Sequence, residues 1–346
     1  MIFLGAGASK ELGIKTMQEL TVDTIAKLEK RGYGSQTDEI ISCLRRFGIT
    51  LDFEAIYSVL EGLVNIRKSV KDAGALTAYV SKDLDEIPSI SDSDEILKEL
   101  RLLIYEECSK IERTRLNDAL DPLFIENPGL QSAIWKDVAS RIVTTNYDMA
   151  VELYHWGKNL PLTDGFFPTN NPHVKQFSAQ AIPIVKEPQT PYRGLKALIK
   201  LHGAIWYFKQ GSKIIETTND PDKIPVQIEI GEQIMIYPTK EKPILRQPHY
   251  HFYKTFKEQE WNCLVVIGYS FRDEPVNTTI LEQLESREDC TVFVVNPEAD
   301  EVVQNLPGYE RYKTHFHLVP IEFGKKGYQD EFFNAIRPTI ESGRYF

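Results

Sequence analysis

Two rhythms of apolar positions run along this chain. The first is strand-like. Ile2–Leu4 stop at Gly5, and further runs of strand length cover residues 141–145, 182–185, 198–202, 234–237, 264–268 and 291–296. Several are continuous and β-branched, as expected for strands buried on both faces of a parallel sheet. The second rhythm is helical and fills the interval from about Thr16 to Trp135. Ile40, Ile41, Leu44 and Phe47 share a face, as do Phe53, Ile56, Tyr57, Leu60, Leu63 and Val64, with Asp52 placed to cap that run. Ile96, Leu97, Leu100, Leu103, Ile104 and Ile111 form a third stripe. Such stripes predict helix-packing faces, and residues 81–94, rich in Ser and Asp, read as the loop between helices.

Helical spacing over 149–156 and 276–284 follows two of the strands, the alternation of a doubly wound α/β sheet. The predicted fold is therefore a Rossmann-like parallel sheet, interrupted after its first strand by a mostly helical insertion. Residues 1–15 and 136–325 make the core, 16–135 the insertion and 326–346 a C-terminal helix and tail. The proline-rich segment 161–191 reads as an ordered surface loop near the site. There are no internal repeats.

Composition adds exclusions rather than identity. The 346 residues carry 50 acidic against 40 basic side chains, a formal charge of −10, which argues against a nucleic-acid-coating surface. No apolar run approaches the ~20 residues that cross a bilayer, and the opening run is too short for a signal peptide, so a cytoplasmic protein is expected. The four cysteines (Cys43, Cys108, Cys263, Cys290) are widely spaced and form no CxxC pair, which predicts neither disulfides nor a zinc knuckle. Cys263 opens an apolar strand and reads as a small buried residue. His249 and His251 flank Tyr250 with no third metal ligand in evidence.

Candidate chemistry sits where the strands end. After the first strand, Gly5, Ala6, Gly7 and Ser9 form a glycine turn; glycine permits positive φ and a close approach of backbone N–H groups to phosphate, and Ser9 can cap the next helix or bind the phosphate. A tight turn without a ligand would use the same residues. Thr145, Asn146 and Asp148 follow the second predicted strand. An Asn there can hold a ribose hydroxyl or an attacking water, and an Asp can orient its neighbours, although both residues also favour plain turns. His202, followed by Gly203, ends another strand and is the natural general base for a ribose hydroxyl, although a lone histidine at a strand end is more often structural. Gly268 and Ser270 end the strongest strand, with Arg272, Asp273 and Pro275 leading into a helix. Asn296 ends the last of these strands, as an adenosine-ribose ligand or as a turn residue before Pro297. In open α/β sheets, ligands bind outside such strand ends.

The order and spelling of these motifs, GAGAS, T-x-N-x-D, HG and G-x-S, resemble the sirtuin fold and, more closely, bacterial Sir2-like NAD-consuming proteins. The resemblance implies NAD as substrate, with Gly5, Ala6, Gly7 and Ser9 along its phosphates. It places Asn146 and Asp148 by the nicotinamide ribose, with Thr145 beside them, and makes His202 the base. Gly268 and Ser270 would contact phosphate or ribose, and Asn296 the adenosine ribose. Where sirtuins follow Gly-Ile with Pro-Asp-Phe-Arg, Gly13 and Ile14 here run into Lys15, Thr16 and Met17. The zinc cysteines and acyl-peptide loop of protein deacylases are missing. The resemblance therefore implies an antiphage NADase without zinc, giving nicotinamide and ADP-ribose. It also implies a homo-oligomer beside a HerA-type ATPase or an Argonaute-type partner, with no direct contact to nucleic acid or membrane. A deacylase, a sensor that binds NAD or ADP-ribose without turnover, and a dehydrogenase are the rivals. The last wants a third glycine where Lys10 stands.

Overall fold

The computed structural model describes residues 1–73, 92–125, 133–169, 174–178, 196–210, 212–217, 233–235 and 248–341. Its strands are β1 (Ile2–Leu4), β2 (Arg141–Thr144), β3 (Leu162–Thr163), β4 (Phe166–Pro168), β5 (Val174–Phe177), β6 (Lys196–Lys200), β7 (Gly203–Gln210), β8 (Lys213–Thr217), β9 (Gln233–Met235), β10 (Cys263–Ile267), β11 (Thr291–Val295) and β12 (Phe316–Val319). Seven of them form one sheet in the order β12-β11-β10-β1-β2-β6-β3, with every neighbouring pair parallel. This is the α/β doubly wound sheet that the alternating pattern predicts. The chain leaves β1 toward β2 on one side and resumes with β10 on the other, so the point where the winding reverses lies at β1.

Every residue of β10 and β11 is buried, because helices cover both faces. Side chains alternate between two cores. Phe3, Val143, Ile199, Val266 and Val294 join the larger one. Ile2, Ile142, Leu198, Val265 and Val295 join the other. The segment between β1 and β2 serves both faces. Helices Met17–Leu28, Gly34–Arg46, Phe53–Ala73 and Ser93–Cys108 carry buried residues of the larger core, whereas Arg113–Phe124 and Ala133–Val138 pack into the second. The helix Tyr328–Glu341 closes that second face with Tyr328, Phe332, Phe333 and Ile336.

The helical stripes are packing faces except at Phe47, and helical except at Ile111, which still packs against both cores. Phe47 is 62% exposed, since its helix stops at Arg46 and Gly48 turns the chain away at φ 64°. Ile111 lies beyond the helix that ends at Cys108. Asp52 does cap its helix, accepting the Ala55 N–H at 2.7 Å. Cys263 is buried in β10.

A second, antiparallel sheet runs in the order β4-β5-β8-β7-β9. Of its strands the sequence pattern anticipated one, since the run 234–237 overlaps β9, but the sheet itself it did not reveal. The described part of 161–191 is not a loop: it supplies β3 to the main sheet and β4 and β5 to the second. The expected strand at 182–185 and the tail from 342 onward lie outside the described residues, as does most of 81–94. Among the described residues, no helix is long and apolar enough to cross a membrane.

Candidate active site

The glycine turn after β1 does not use positive φ. Gly5 has φ −99° and ψ −178°, and Gly7 is likewise outside the left-handed region. What demands glycine is the neighbouring turn after β10. A Cβ on Gly5 would stand 2.6 Å from the Gly268 carbonyl oxygen, and one on Gly268, whose φ is 63°, would stand 2.2 Å from the Ala8 nitrogen. The Gly7 N–H donates to the Gly268 carbonyl at 2.8 Å, and Gly5 N–H to Ile267 O at 2.9 Å. The two turns are therefore packed back to back, and these amides serve the protein itself.

Residues 6–12 form a 3₁₀ turn, ended by Gly13 at φ 90°. Ser9 lies inside it and caps no helix. The following helix starts at Met17, where Thr16 and Glu19 form a reciprocal capping box.

Instead Ser9 joins a buried network with the end of β2. Its hydroxyl donates to Asp148 Oδ2 at 2.7 Å and accepts from Asn146 Nδ2 at 2.9 Å. Asn146 Nδ2 also donates to the Gly5 carbonyl at 2.9 Å. Asp148 Oδ1 accepts the Ala150 N–H at 2.9 Å, opening the helix Ala150–Gly157. Both Nδ2 protons are committed to acceptors, so the amide orientation is fixed. That leaves Asn146 Oδ1 buried with no hydrogen-bond partner among the described residues. Such an atom is costly unless something donates to it. Ser9, Asn146 and Asp148 line a small cavity with Lys200, and Leu12 and Phe323 form part of its apolar wall.

Lys200, in β6, is itself buried. Its ammonium lies 3.1 Å from Glu152 Oε1 and donates to the Asp148 carbonyl. Burial raises the Glu152 carboxyl above its ordinary range, with Lys200 opposing. It also pushes the nearby Cys108 thiol upward, helped by Asp148, so this cysteine is not an activated nucleophile.

His202 lies two residues past β6, and Gly203 turns the chain into β7 at φ 80°. Its Nε2 is 2.6 Å from Asp273 Oδ2, and both side chains are buried. Tyr147 stacks obliquely on the imidazole, ring centroids 6.1 Å apart, and donates its hydroxyl to Glu54 at 3.0 Å. Glu54 comes from the helix Phe53–Ala73, so the segment between β1 and β2 reaches the site directly.

The remaining predicted residues are more peripheral. Thr145 is half-buried, and its N–H donates to Leu4 O. The Ser270 carbonyl accepts from Asn305 Nδ2 at 2.9 Å. Asn296 Oδ1 accepts the Glu298 N–H at 2.9 Å, closing an Asx turn.

A family model described as a SIR2-like domain matches residues 140–317, just over half of the chain. The chain belongs to the SIR2-like domain family. Solved structures similar to this SIR2-like chain include a Sir2 homologue–NAD complex, at 12% identity and TM-score 0.48, covering 98% of this chain and 90% of that one. A mutant Sir2 homologue with ADP-ribose is also 12% identical, at TM-score 0.43, covering 99% and 92%. A third, from work on the mechanism and regulation of Sir2 enzymes, is 11% identical at TM-score 0.41, covering 98% and 92%. No curated protein matches the chain.

Asp273, Tyr147, Lys200 and Glu54 border this candidate site and were not among the predicted site residues. Asp273 announces itself only as the N-cap before Pro275. Its pairing with a histidine 71 residues earlier has no local signature.

Proposed function

We propose that this SIR2-like chain binds NAD at the β1 reversal point and hydrolyses its nicotinamide–ribose bond, releasing nicotinamide and ADP-ribose. The observation that carries the reading is Asn146 Oδ1, a buried acceptor of fixed orientation with no donor among the described residues. A ribose hydroxyl or a water supplies that donor. Departure of nicotinamide leaves an oxocarbenium-like ribose. A water held against Asn146 is then placed to attack the anomeric carbon, its proton passing to a base, and His202 is the residue of suitable chemistry. Ser9 and Asp148 hold the Asn146 amide in place rather than touching the reacting atoms. Gly5, Gly7 and Gly268 shape the floor of the cleft; Ala6, Thr145, Ser270 and Asn296 remain the proposed contacts along the dinucleotide.

The reading extends to antiphage defence by NAD depletion, in a homo-oligomer with an ATPase or Argonaute-type partner. Uncontrolled NAD hydrolysis would harm its own cell. The insertion, residues 16–135, is the proposed lid or oligomer interface that exerts this control; the Glu54–Tyr147 bond supports it by linking the helix Phe53–Ala73 to the ring beside His202.

The test is NAD consumption by the purified protein, alone and with defence partners, beside Asn146→Ala and His202→Ala. Turnover to nicotinamide and ADP-ribose, lost in both variants, is expected. NAD binding without turnover would replace the reading with a sensor. Turnover that requires an acyl-peptide would replace it with a deacylase.

A further inference from the structure

Asp273 belongs to no motif of the proposed reaction, yet it is a buried and firmly anchored carboxylate. It caps the helix Glu274–Ser286, its Oδ1 accepting the Val276 N–H at 3.4 Å. Its own N–H donates to the Tyr269 hydroxyl at 3.2 Å, and that hydroxyl also reaches Asn277 Oδ1 at 3.2 Å. Asn277 is locked in turn by donating to Phe271 O at 2.8 Å. The Tyr253 hydroxyl, from the helix His249–Glu258, hydrogen-bonds the carboxylate as well. The remaining direction of Oδ2 points at His202 Nε2, 2.6 Å away.

We infer that Asp273 is the positioning residue of the proposed base, holding His202 in the tautomer whose proton sits on Nε2. The argument rests on the NADase reading for its catalytic meaning, but its geometry stands apart from it. Two lone pairs do not face each other at 2.6 Å, so a proton lies between Nε2 and Oδ2. The helix N-terminus and the Tyr253 hydroxyl both favour the anionic carboxylate, which places that proton on the ring. Nδ1 then carries the basic lone pair. When the ring takes a proton during turnover, the adjacent carboxylate compensates the charge without any side chain moving. An amide at position 273 could accept from Nε2–H or donate to a bare Nε2, so the tautomer would no longer be dictated.

The experiment is long-range proton–nitrogen NMR on ¹⁵N-labelled full-length protein without NAD, with His202 assigned by loss of its signals in His202→Gln. The expected spectrum shows a protonated Nε2 and a bare Nδ1 in the wild type, and a mixed or reversed tautomer in Asp273→Asn. An Nδ1-protonated ring in the wild type overturns the inference, and this reading does not depend on Asp273→Asn folding. In kinetics, kcat of Asp273→Asn should fall about 100-fold while KM changes by less than about three-fold. An unchanged kcat overturns it as well. A wild type with the expected tautomer but no NAD turnover would reject the NADase reading while leaving the positioning role intact.

Discussion

The Asn146 amide and the Ser9 hydroxyl, 137 residues apart in the chain, meet at 2.9 Å. This bond joins the turn after β1 to the end of β2, and through Ser9 it reaches Asp148. Ser9→Ala removes the acceptor and frees both Asn146 and Asp148 from their common partner. Leaving buried polar groups unpaired costs about 1–3 kcal/mol, so the urea midpoint should fall measurably. NAD turnover should fall with it but not vanish, because Asn146 keeps its bond to Gly5 O. A Ser9→Ala enzyme with wild-type stability and rate would refute the network.

Gly268 and Gly62 should respond to alanine in opposite directions. Alanine at Gly268 meets Ala8 N at 2.2 Å and Gly7 C at 2.4 Å, both backbone, at a φ of 63°. The two turns would have to separate, and loss of soluble folded protein is expected. Gly62 lies within the helix Phe53–Ala73 with nothing within 4 Å of its added Cβ. Gly62→Ala should stabilise by about 1 kcal/mol through helix propensity, seen as a higher unfolding midpoint.

The Lys200–Glu152 pair is buried on both sides. Lys200→Met leaves a carboxylate alone in the interior and should cost about 3–5 kcal/mol. The double variant Lys200→Met/Glu152→Leu should recover most of that loss. Equal instability of the single and double variants would show that the ammonium bond to Asp148 O matters more than the ion pair.

Glu216 in β8 gives a pH signature. Burial, and then the neighbouring Asp164 carboxylate, push it up from the ordinary 4.5 to about 8, with Lys175 opposing at 2.8 Å. The folded state therefore holds this proton more tightly than the unfolded one. Its contribution to stability is complete below pH 4.5 and is lost as pH rises through about 8. Glu216→Gln keeps the neutral form at all pH values. Its unfolding midpoint should fall less than the wild type's between about pH 5 and about pH 9. Parallel pH profiles would rule out Glu216 as the titrating group.

The main sheet was legible because β-branched runs such as Val292–Val295 and helical stripes such as Phe53–Val64 are read from local period alone. The second sheet was not. Tyr207, Phe208 and Ile215 pack across strands, but their partners in β5 lie in polar, proline-rich sequence with no alternation, and the short run overlapping β9 carries no sign of its antiparallel partner. Motif reading singled out Ser9, Asn146, Asp148 and His202, which the fold brings to the candidate site, since each closely follows a strand. It read the glycines for ligand contact and did not foresee that they also let two backbones touch. Asp273 was hidden for a different reason: an N-cap is a local feature, whereas its bond to His202 exists only once β6 and β10 share a sheet.

β1 sits at the centre of its sheet, paired on one side with β2 and on the other with β10, whose residues come more than 250 positions later. During synthesis, Ile2–Leu4 can pair with β2 early, but their other edge must wait until Cys263–Ile267 has left the ribosome. Until then the Gly5–Gly7 turn has nothing to lean on, and His202 has no Asp273. A nascent chain can fold its helices early, because their contacts are local, but the cleft is assembled among the last events. The order of the strands thus acts as a timer: no truncated or stalled product of this chain ending before Asp273 can carry the completed site.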